Sequence, residues 1–200
     1  MRIVADRIAV GSGPTAELPP LSLEFSTEQP TAVAVGAGQR PTVLSLVLTG
    51  RMRPTAGRVL LDDREDPAAL RRSLALVDTP TVAEPHEDLA LATVIREELA
   101  LAHQRAGSGV VRGVLRDLGA SEWAEAPVRL VPGAVRLRLL AELASRRAGV
   151  RGLVLTSPER HGVTPAELAT ITAELRDRSL AVLTITTAAT QAALVEGTQS

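Results

Sequence analysis

The residues that first suggest chemistry lie in a glycine-rich turn, VGAGQRPTVLSLVLTG, at residues 35–50. An apolar run precedes the turn, a helix-like apolar segment follows it, and RPTAG comes next at residues 53–57. Such a turn binds phosphate through backbone N–H groups at the start of a helix, and a lysine reaches the outer phosphates. Pro41 stands where that lysine is needed, and it offers neither an N–H group nor a charge. The spacing therefore predicts a nucleotide-binding frame with altered phosphate chemistry.

Length and composition limit the classes of protein that this turn can belong to. The 200 residues, 45% of them hydrophobic, are enough for one domain with a sizeable core. The net charge of −1 gives no electrostatic case for nucleic acid or an anionic membrane surface. There is no cysteine, and the three histidines lack the i, i+4 spacing of a helical metal site. We therefore expect neither a nucleic-acid partner nor a metal site.

The chain carries no obvious membrane or export signal. No apolar run approaches the roughly 18–20 residues that span a bilayer, and the N-terminus lacks the long apolar core of a signal peptide. We expect a soluble cytoplasmic protein. Peripheral attachment to the inner face of the plasma membrane stays open, because such a protein can dock on a membrane protein.

Apolar patterns in the first part of the chain predict strands around the glycine-rich turn. RIVADRIAV and LSLEF alternate like half-buried strands, with GSGPTAELPP as a loop between them. TAVAV reads as a strand covered on both faces, and residues 41–49 as a helix with Pro41 in its first turn and Gly50 after its end. GRVLLDDRED reads as a strand with a turn, and residues 64–78 as a short basic helix followed by a strand at 74–77.

The rest of the chain is first helical and then alternating. Residues 88–147 show apolar residues at helical spacing in three segments. GLVLT and LAVLTITT read as buried strands, Thr164 and Glu167 as the capping box of a helix between them, and ATQAALV as a closing helix. This order predicts an α/β fold with a parallel sheet and a helical subdomain inserted near the middle. Within one domain, 1–200, we assign 1–79 to the strands and turn, 80–147 to the helical subdomain and 148–200 to the rest of the core.

This order and spacing resemble the nucleotide-binding domain of ABC transporters along nearly the whole chain. RPTAGRVLLDD matches the segment after the family's first helix, and Gly50 and Pro158 are retained. The resemblance implies a P-loop NTPase-like ABC ATPase core, with a mostly parallel sheet flanked by helices, N-terminal antiparallel strands and an inserted helical subdomain. The Walker A, Q-loop, signature, Walker B and switch-histidine motifs are all degenerate.

The resemblance places a degenerate phosphate loop on four residues: Gly38, Gln39, Arg40 and Thr42. Arg40 falls on a glycine of the family motif, Pro41 on its lysine and Thr42 on its Mg²⁺-binding hydroxyl. Each lost charge-assisted contact costs about 1.5–3 kcal/mol of nucleotide affinity. Pro41 can simply be a good start for a helix. The alternative is that Arg40 supplies the missing charge and Thr42 still holds Mg²⁺.

The family's other functional positions are also replaced by neutral residues. Thr79 falls on the sensor glutamine, and the signature reads Leu130 to Ala134, as LVPGA. Thr156 and Ser157 fall on the two Walker B acids, with Glu159 two residues beyond the catalytic position. Hydroxyls bind Mg²⁺ weakly and cannot act as a general base at neutral pH. A shifted role for Glu159 remains open.

Two further positions complete the comparison with the family. Thr187 falls on the switch histidine. Phe25 and Trp123 are the only aromatic residues, and neither lies where the family stacks adenine. Phe25 reads as the core of a strand and Trp123 as a packing anchor of the helical subdomain.

Three functional hypotheses follow. The first is a pseudo-ATPase with no catalytic residue and no cofactor, a scaffold or regulatory subunit that docks on an ABC-type, permease-like membrane protein through residues 80–102. It would pair with another ABC ATPase subunit or with itself. The second is a divergent ATP-binding protein that still binds Mg-ATP, with weak or partner-dependent hydrolysis. The third is an α/β domain unrelated to transport.

Overall fold

A computed structural model describes residues 1–28 and 30–197 of the chain, and seven strands form two sheets within this part. In chain order the strands are β1 (Arg2–Val10), β2 (Leu18–Ser26), β3 (Thr31–Ala34), β4 (Ala56–Leu61), β5 (Leu74–Val77), β6 (Gly152–Thr156) and β7 (Ala181–Thr186). One sheet is antiparallel in the order β2-β1-β4. The other is parallel in the order β3-β7-β6-β5.

Seven α-helices connect and cover the strands of the described chain. They are α1 (Arg40–Leu48), α2 (Pro67–Ser73), α3 (Leu91–Leu101), α4 (Ser108–Asp117), α5 (Gly133–Ser145), α6 (Pro165–Asp177) and α7 (Ala188–Gly197). Helices α3 to α5 lie in sequence between β5 and β6, which are neighbours in the parallel sheet. The predicted α/β class with a helical insertion is confirmed, and the boundaries at residues 80 and 147 stay a prediction.

The parallel sheet separates two hydrophobic cores by strict alternation along its strands. In β6, Leu153 and Leu155 face the core that contains residues of α3 to α6, whereas Val154 faces the core that contains α1, α2 and the antiparallel sheet. In β7, Val182 joins the first core and Leu183 the second. All residues of β6 and β7 are buried, which explains why both read as continuous apolar runs.

Two strand predictions need correction. β2 begins at Leu18 and includes Pro19 and Pro20, which the sequence analysis placed in a loop. Proline has no N–H group for a sheet, but β2 is an edge strand, so one side of it needs no donors. β3 was expected to be covered on both faces, yet it is the edge of the parallel sheet and all four of its residues are only partly buried.

The helix after the glycine-rich turn forms as predicted, one residue earlier at its start. Pro41 lies in the first turn of α1, where a missing N–H group costs nothing. Gly50 follows the helix with a positive φ of 68°, and a side chain there would meet the backbone oxygen of Pro67. The capping box of α6 is also confirmed, with Thr164 and Glu167 bonding to each other's backbone N–H groups. Across residues 1–28 and 30–197, no helix combines the length and apolar character that crossing a membrane requires.

Candidate functional site

The loop between β3 and α1 keeps the backbone shape of a glycine-rich turn. Gly38 has a positive φ of 81°, and the space beside its Cα is open. Gln39 follows in helical conformation, and its carbonyl accepts a hydrogen bond from Val43 N at 2.9 Å, which starts α1. Pro41, two residues after Gln39, has no N–H group to offer at the helix start. The loop thus presents fewer donors to a phosphate than a glycine-lysine sequence would.

Arg40 folds back over this loop. A Cβ added at Gly36 would clash with Arg40 Nη1, so the guanidinium lies against the bare Cα of Gly36. Arg40 is half-buried and, together with Pro19 and Pro20, lines a cavity of about 160 Å³. No hydrogen bond or ion pair of its side chain is found among the described residues. The cation is therefore available next to the loop, two residues before Thr42.

A chain of buried hydroxyl groups lies at the ends of the strands beside this loop. Thr79 Oγ1 is 2.9 Å from Thr156 Oγ1, and Thr156 Oγ1 is 2.8 Å from Ser45 Oγ. All three residues are at most 1% exposed. The structure thus brings together Thr79 and Thr156, which the resemblance placed on the sensor glutamine and the first acid. The third hydroxyl belongs to Ser45, one helical turn beyond Thr42.

The hydrogen bonds give this chain a direction. Ser45 Oγ donates to the carbonyl oxygen of Pro41 at 2.8 Å. A hydroxyl has a single proton, so Ser45 must accept from Thr156, and Thr156 must then accept from Thr79. Each of the three protons has an acceptor, and no charge is needed to satisfy the group. The chain is a neutral, complete network that ties α1, β6 and the residue pair after β5 together.

The donor set of this network does not suit Mg²⁺. The ion prefers carboxylate and phosphate oxygens in an octahedral arrangement, and it gives up its water reluctantly. Thr156 and Ser45 offer neutral oxygens whose protons are already committed inside the core. Thr42, the residue that the resemblance placed on the metal, is 6% exposed on α1.

The segment after β6 also carries a carboxylate, that of Glu159. Ser157 has left-handed backbone angles of φ 49° and ψ 54°, and a short 3₁₀ turn at Pro158–His161 follows. Glu159 accepts a hydrogen bond from Thr186 Oγ1 at 2.9 Å, at the end of β7. Thr187 bonds through its hydroxyl to Thr190 and so caps α7. These side chains are engaged in holding strand ends and a helix start.

A buried ion pair lies one residue from the hydroxyl chain. Asp78 and Arg136 are both 3% exposed, and the guanidinium donates twice to the carboxylate, at 2.9 and 2.6 Å. Asp78 directly follows β5, whereas Arg136 lies near the start of α5. The pair therefore links the inserted helices to the edge of the parallel sheet. Two-point geometry of this kind is what a buried charge pair needs to offset its lost hydration.

Three more charged side chains surround the pair. Arg160 donates to Glu84 Oε1 at 2.7 Å and to the carbonyl oxygen of Asp78 at 2.6 Å. His161 Nε2 lies 3.3 Å from Asp78 Oδ2 but lacks the geometry of a hydrogen bond. Burial lowers the pKa of His161, and the two arginines add to this, while Asp78 and Glu84 oppose it. We call the five residues Asp78, Glu84, Arg136, Arg160 and His161 the charged cluster.

The charged cluster has ligand atoms at metal-binding distance but is already neutralised. Atoms of Asp78, Glu84 and His161 lie within 4.8 Å of one another. Arg136 and Arg160 supply two positive charges to the two carboxylates. A divalent ion would have to displace bonded guanidinium groups, so the cluster reads as structural.

The start of α5, where the resemblance placed the family signature, is packed against its own chain. Pro132 precedes the helix, and a side chain at Gly133 would clash with the carbonyl oxygen of His161. Leu130, just before it, is 56% exposed. The helix start is thus held at the 3₁₀ turn by close backbone contact, next to the charged cluster.

The sequence analysis did not anticipate the charged cluster. One signal for it was present, because Arg136 lies at helical spacing from Leu140 and Leu143 and so interrupts the apolar face of α5. Its partner Asp78 lies 58 residues away in the chain, and spacing gives no means of pairing them. Phe25, at 1% exposure, and the half-buried Trp123 are core residues as expected.

No family model matches the chain, and no curated protein matches it in sequence. Solved structures match over nearly its full length. A nucleotide-free ATP-binding cassette from an ABC transporter is 16% identical, with a TM-score of 0.65, over 94% of this chain and 82% of that one. The chain has the fold of an ATP-binding cassette. The ADP conformation of MJ1267, an ATP-binding cassette of an ABC transporter, matches at 16% identity and a TM-score of 0.64, over 94% of this chain and 82% of that one.

A third match with this cassette fold comes from a named complex. The structure of cbiO1 from Clostridium perfringens, part of the ABC transporter complex cbiONQ, is 16% identical with a TM-score of 0.62. The match covers 92% of this chain and 77% of that one.

The positions that the resemblance singled out gather at one edge of the parallel sheet. Thr79, Thr156 and Thr187 all lie at the carboxyl ends of β5, β6 and β7, and the glycine-rich loop follows the carboxyl end of β3. Ligands of α/β proteins bind at this edge. Here the edge presents hydroxyl groups, a proline and the half-buried Arg40, beside Glu159 and the charged cluster.

Proposed function

We propose that this chain is a pseudo-ATPase: a cassette-fold subunit without catalytic residues that acts as a scaffold or regulator on an ABC-type membrane protein. The observation that carries the proposal is the neutral hydroxyl chain of Ser45, Thr156 and Thr79 at the carboxyl edge of the sheet. Hydrolysis of ATP needs a metal to bridge the phosphates and a residue to position the attacking water. Hydroxyls whose protons are spent on one another are poorly suited to either task.

The glycine-rich loop supports the same proposal. Pro41 removes a backbone donor and the usual cation from the start of α1. Arg40 also carries a Cβ and a long side chain over Gly36, where a bound phosphate would need room. Together these changes disfavour nucleotide binding by roughly several kcal/mol, counting about 1.5–3 kcal/mol for each lost charge-assisted contact.

The start of α5 disfavours a second cassette function, the completion of a partner's ATP site. Pro132 lacks a donor, and Gly133 is packed against the carbonyl oxygen of His161. A helix start can hold an anion only where its N–H groups are accessible. We infer that neither this chain nor a copy of it would complete a composite site well.

The proposed docking surface spans residues 80–102. Val82 and Leu101 are large apolar residues with 46% and 61% of their surface exposed. Arg96 lies between them on α3 and makes no hydrogen bond or ion pair within the described chain. Two exposed apolar side chains and a free cation on one segment suit a protein partner better than bulk water. The partner we propose is a permease-like protein, as the cbiONQ membership of a structural relative suggests.

The divergent-ATPase alternative also has one observation in its favour. Arg40 has no ion-pair partner in the described chain and lies beside the loop, where it could meet a phosphate. In that case Arg40 would replace the missing lysine, and turnover would depend on a partner's residues.

Calorimetry with Mg-ATP separates the two functions. We expect no binding heat from the wild-type chain up to millimolar nucleotide, and recovered binding in the double variant Arg40→Gly, Pro41→Lys. Arg53→Gln, an exposed change after α1, is the control and should behave like the wild type. Micromolar binding by the wild-type chain would overturn the pseudo-ATPase proposal and favour the alternative.

Docking is tested by a pull-down from detergent-solubilised membranes with the purified chain, which should capture a multi-span, permease-like membrane protein. Val82→Glu and Leu101→Glu place charges on the proposed surface and should abolish the complex while leaving the thermal midpoint unchanged. Val195→Glu changes an equally exposed valine on α7, outside that surface, and should leave the complex intact. Equal losses in all three variants would argue against a docking surface at 80–102.

A further inference from the structure

A cavity of about 500 Å³ lies away from the sheet edge, within the inserted helices. Its walls are α3, α4 and the segment at residues 121–125, which packs against the start of α3 through the bond from Ala92 N to Ala124 O at 2.9 Å. Cavities of about 300–1,000 Å³ are the usual size for small-molecule sites. None of its walls belongs to the glycine-rich loop, the hydroxyl chain or the charged cluster, whereas its α3 wall with Arg96 is shared with the proposed docking surface at residues 80–102.

The floor of the cavity is apolar. Val111 and Leu115 are each 2% exposed and lie one helical turn apart on the inner face of α4. Ala92 of α3 and Ala124 add small side chains, which leave the space between the elements open. Such a floor favours an apolar ligand body, because water in the cavity has few partners there.

The rim of the cavity is cationic. Arg96 of α3 and Arg112 and Arg116 of α4 line it, with Glu125 as the single acid. Arg116 Nη2 lies 3.4 Å from Asp117 Oδ1, so this arginine already has an ion-pair partner. Arg96 and Arg112 make no hydrogen bond or ion pair with any described residue. Two exposed arginines without partners among the described residues therefore line one cavity, and each guanidinium group has five N–H donors.

We propose that this cavity binds an organic anion with an apolar body, of which a medium-chain carboxylate is the simplest case. The planar guanidinium of Arg96 or Arg112 matches the two oxygens of a carboxylate. The hydrocarbon body lies on Val111 and Leu115. The cavity is bounded by three elements and has the volume of a small-molecule site, which favours a small molecule over the extended helix of a protein. The inference goes beyond the proposed function and does not depend on it.

Fluorescence of Trp123 reports on binding directly. Trp123 is the only tryptophan, and the chain has no tyrosine. Its neighbours Ser121 and Ala124 line the cavity. We expect decanoate, kept at concentrations where it is monomeric, to change the emission saturably. Decanol has the same body without the charge and should bind at least about tenfold more weakly, since a charge-assisted bond is lost.

Two variants test the rim. Arg96→Gln and Arg112→Gln should each weaken decanoate binding roughly three- to tenfold, because the ion pairs are partly exposed to water. Arg105→Gln removes an exposed arginine from the loop between α3 and α4, outside the cavity, and should have no effect. Unchanged far-ultraviolet circular dichroism shows that all three variants are folded.

Four results would overturn the proposal. They are the absence of saturable binding up to millimolar decanoate, equal binding of decanol, an equal loss in Arg105→Gln, and binding of an acidic amphipathic peptide in place of decanoate. Mg-ATP binding by the wild-type chain would sink the pseudo-ATPase proposal and leave this site untouched. A failed decanoate titration would overturn the proposed cavity site and leave the pseudo-ATPase proposal intact. The two proposals therefore fail separately.

Discussion

The hydroxyl chain and the charged cluster start from adjacent residues, Thr79 and Asp78, and both hold the end of β5 in place, one with neutral groups and the other with charged groups. Both fasten the end of β5 to a helix and to the residues that end or follow β6. The hydroxyl chain does so with Ser45 and Thr156 and without charge. The charged cluster does so with Arg136 and Arg160 around one buried carboxylate.

The difference shows where this fold tolerates buried charge. A buried ion is costly unless it is paired and fully hydrogen-bonded, and Asp78 meets that condition through two donors from Arg136 and a backbone bond to Arg160 beside it. The loop side of the same strand end has no such cation within the core. Neutral threonines there need only one another, so the network is stable without a ligand.

Breaking the charged cluster should give the largest effect. Arg136→Met leaves the Asp78 carboxylate buried without its bidentate partner, which costs about 3–5 kcal/mol in the free energy of unfolding. Urea unfolding followed by circular dichroism measures the loss. Arg138→Met on the same helix removes an exposed pair with Glu174 and should cost about 1 kcal/mol or less. Similar losses in both variants would mean that Asp78 is not held by a dry ion pair.

Breaking the hydroxyl chain should have a smaller effect. Thr156→Val keeps the shape but removes the acceptor for Thr79 and the donor to Ser45, at a cost of about 1–3 kcal/mol in the free energy of unfolding.

Thr170→Val is the matched control for this change. Thr170 is exposed on α6 and bonds only to the helix backbone at Ala166, so its replacement should cost about 0.5 kcal/mol or less. A Thr156→Val variant as stable as this control would show that the hydroxyl chain contributes little, and the contrast with the charged cluster would sharpen.

The smallest expected effect is a pH dependence of the free energy of unfolding that arises in the charged cluster, at His161, and not in the hydroxyl chain. His161 has a lowered pKa in the folded chain, first because of burial, so the unfolded chain binds more protons below its usual pKa of about 6.5. The folded state is therefore fully stabilised above that pH and loses stability as the pH falls through the lowered pKa. His161→Gln should flatten the stability profile between about pH 7 and 5. A profile that is unchanged in the variant would contradict this assignment.

The sequence was sufficient for the elements but not for the contacts between them. The strand at Gly152–Thr156 and the capping box at Thr164 follow from local patterns, which survive because each depends on neighbours in the chain. Edge placement of β3 and the prolines in β2 could not be read, because the sheet order decides which strands need all their donors.

The candidate site also has residues that the sequence indicated and contacts that only the folded structure shows. The glycine-rich turn was located from spacing, whereas Gly38, Gln39 and Arg40 within it, and Thr79 and Thr156 beyond it, were singled out through a resemblance. That Ser45 rather than Thr42 completes their network depends on how α1 is rotated against β6, which no spacing in the chain encodes. The pairing of Asp78 with Arg136 depends likewise on how α5 docks.

The sheet order also has a consequence for how the protein is made. β3 leaves the ribosome long before β7, yet β7 is its neighbour in the sheet, with Thr31 opposite Leu183. The glycine-rich loop and α1 therefore lack their supporting strand pair until β7 has been synthesised, and such distant pairing slows folding. Until then the apolar edge TAVA stays without its partner. Nascent chains that stop before Ala181 should accordingly depend on chaperones far more than the full chain does.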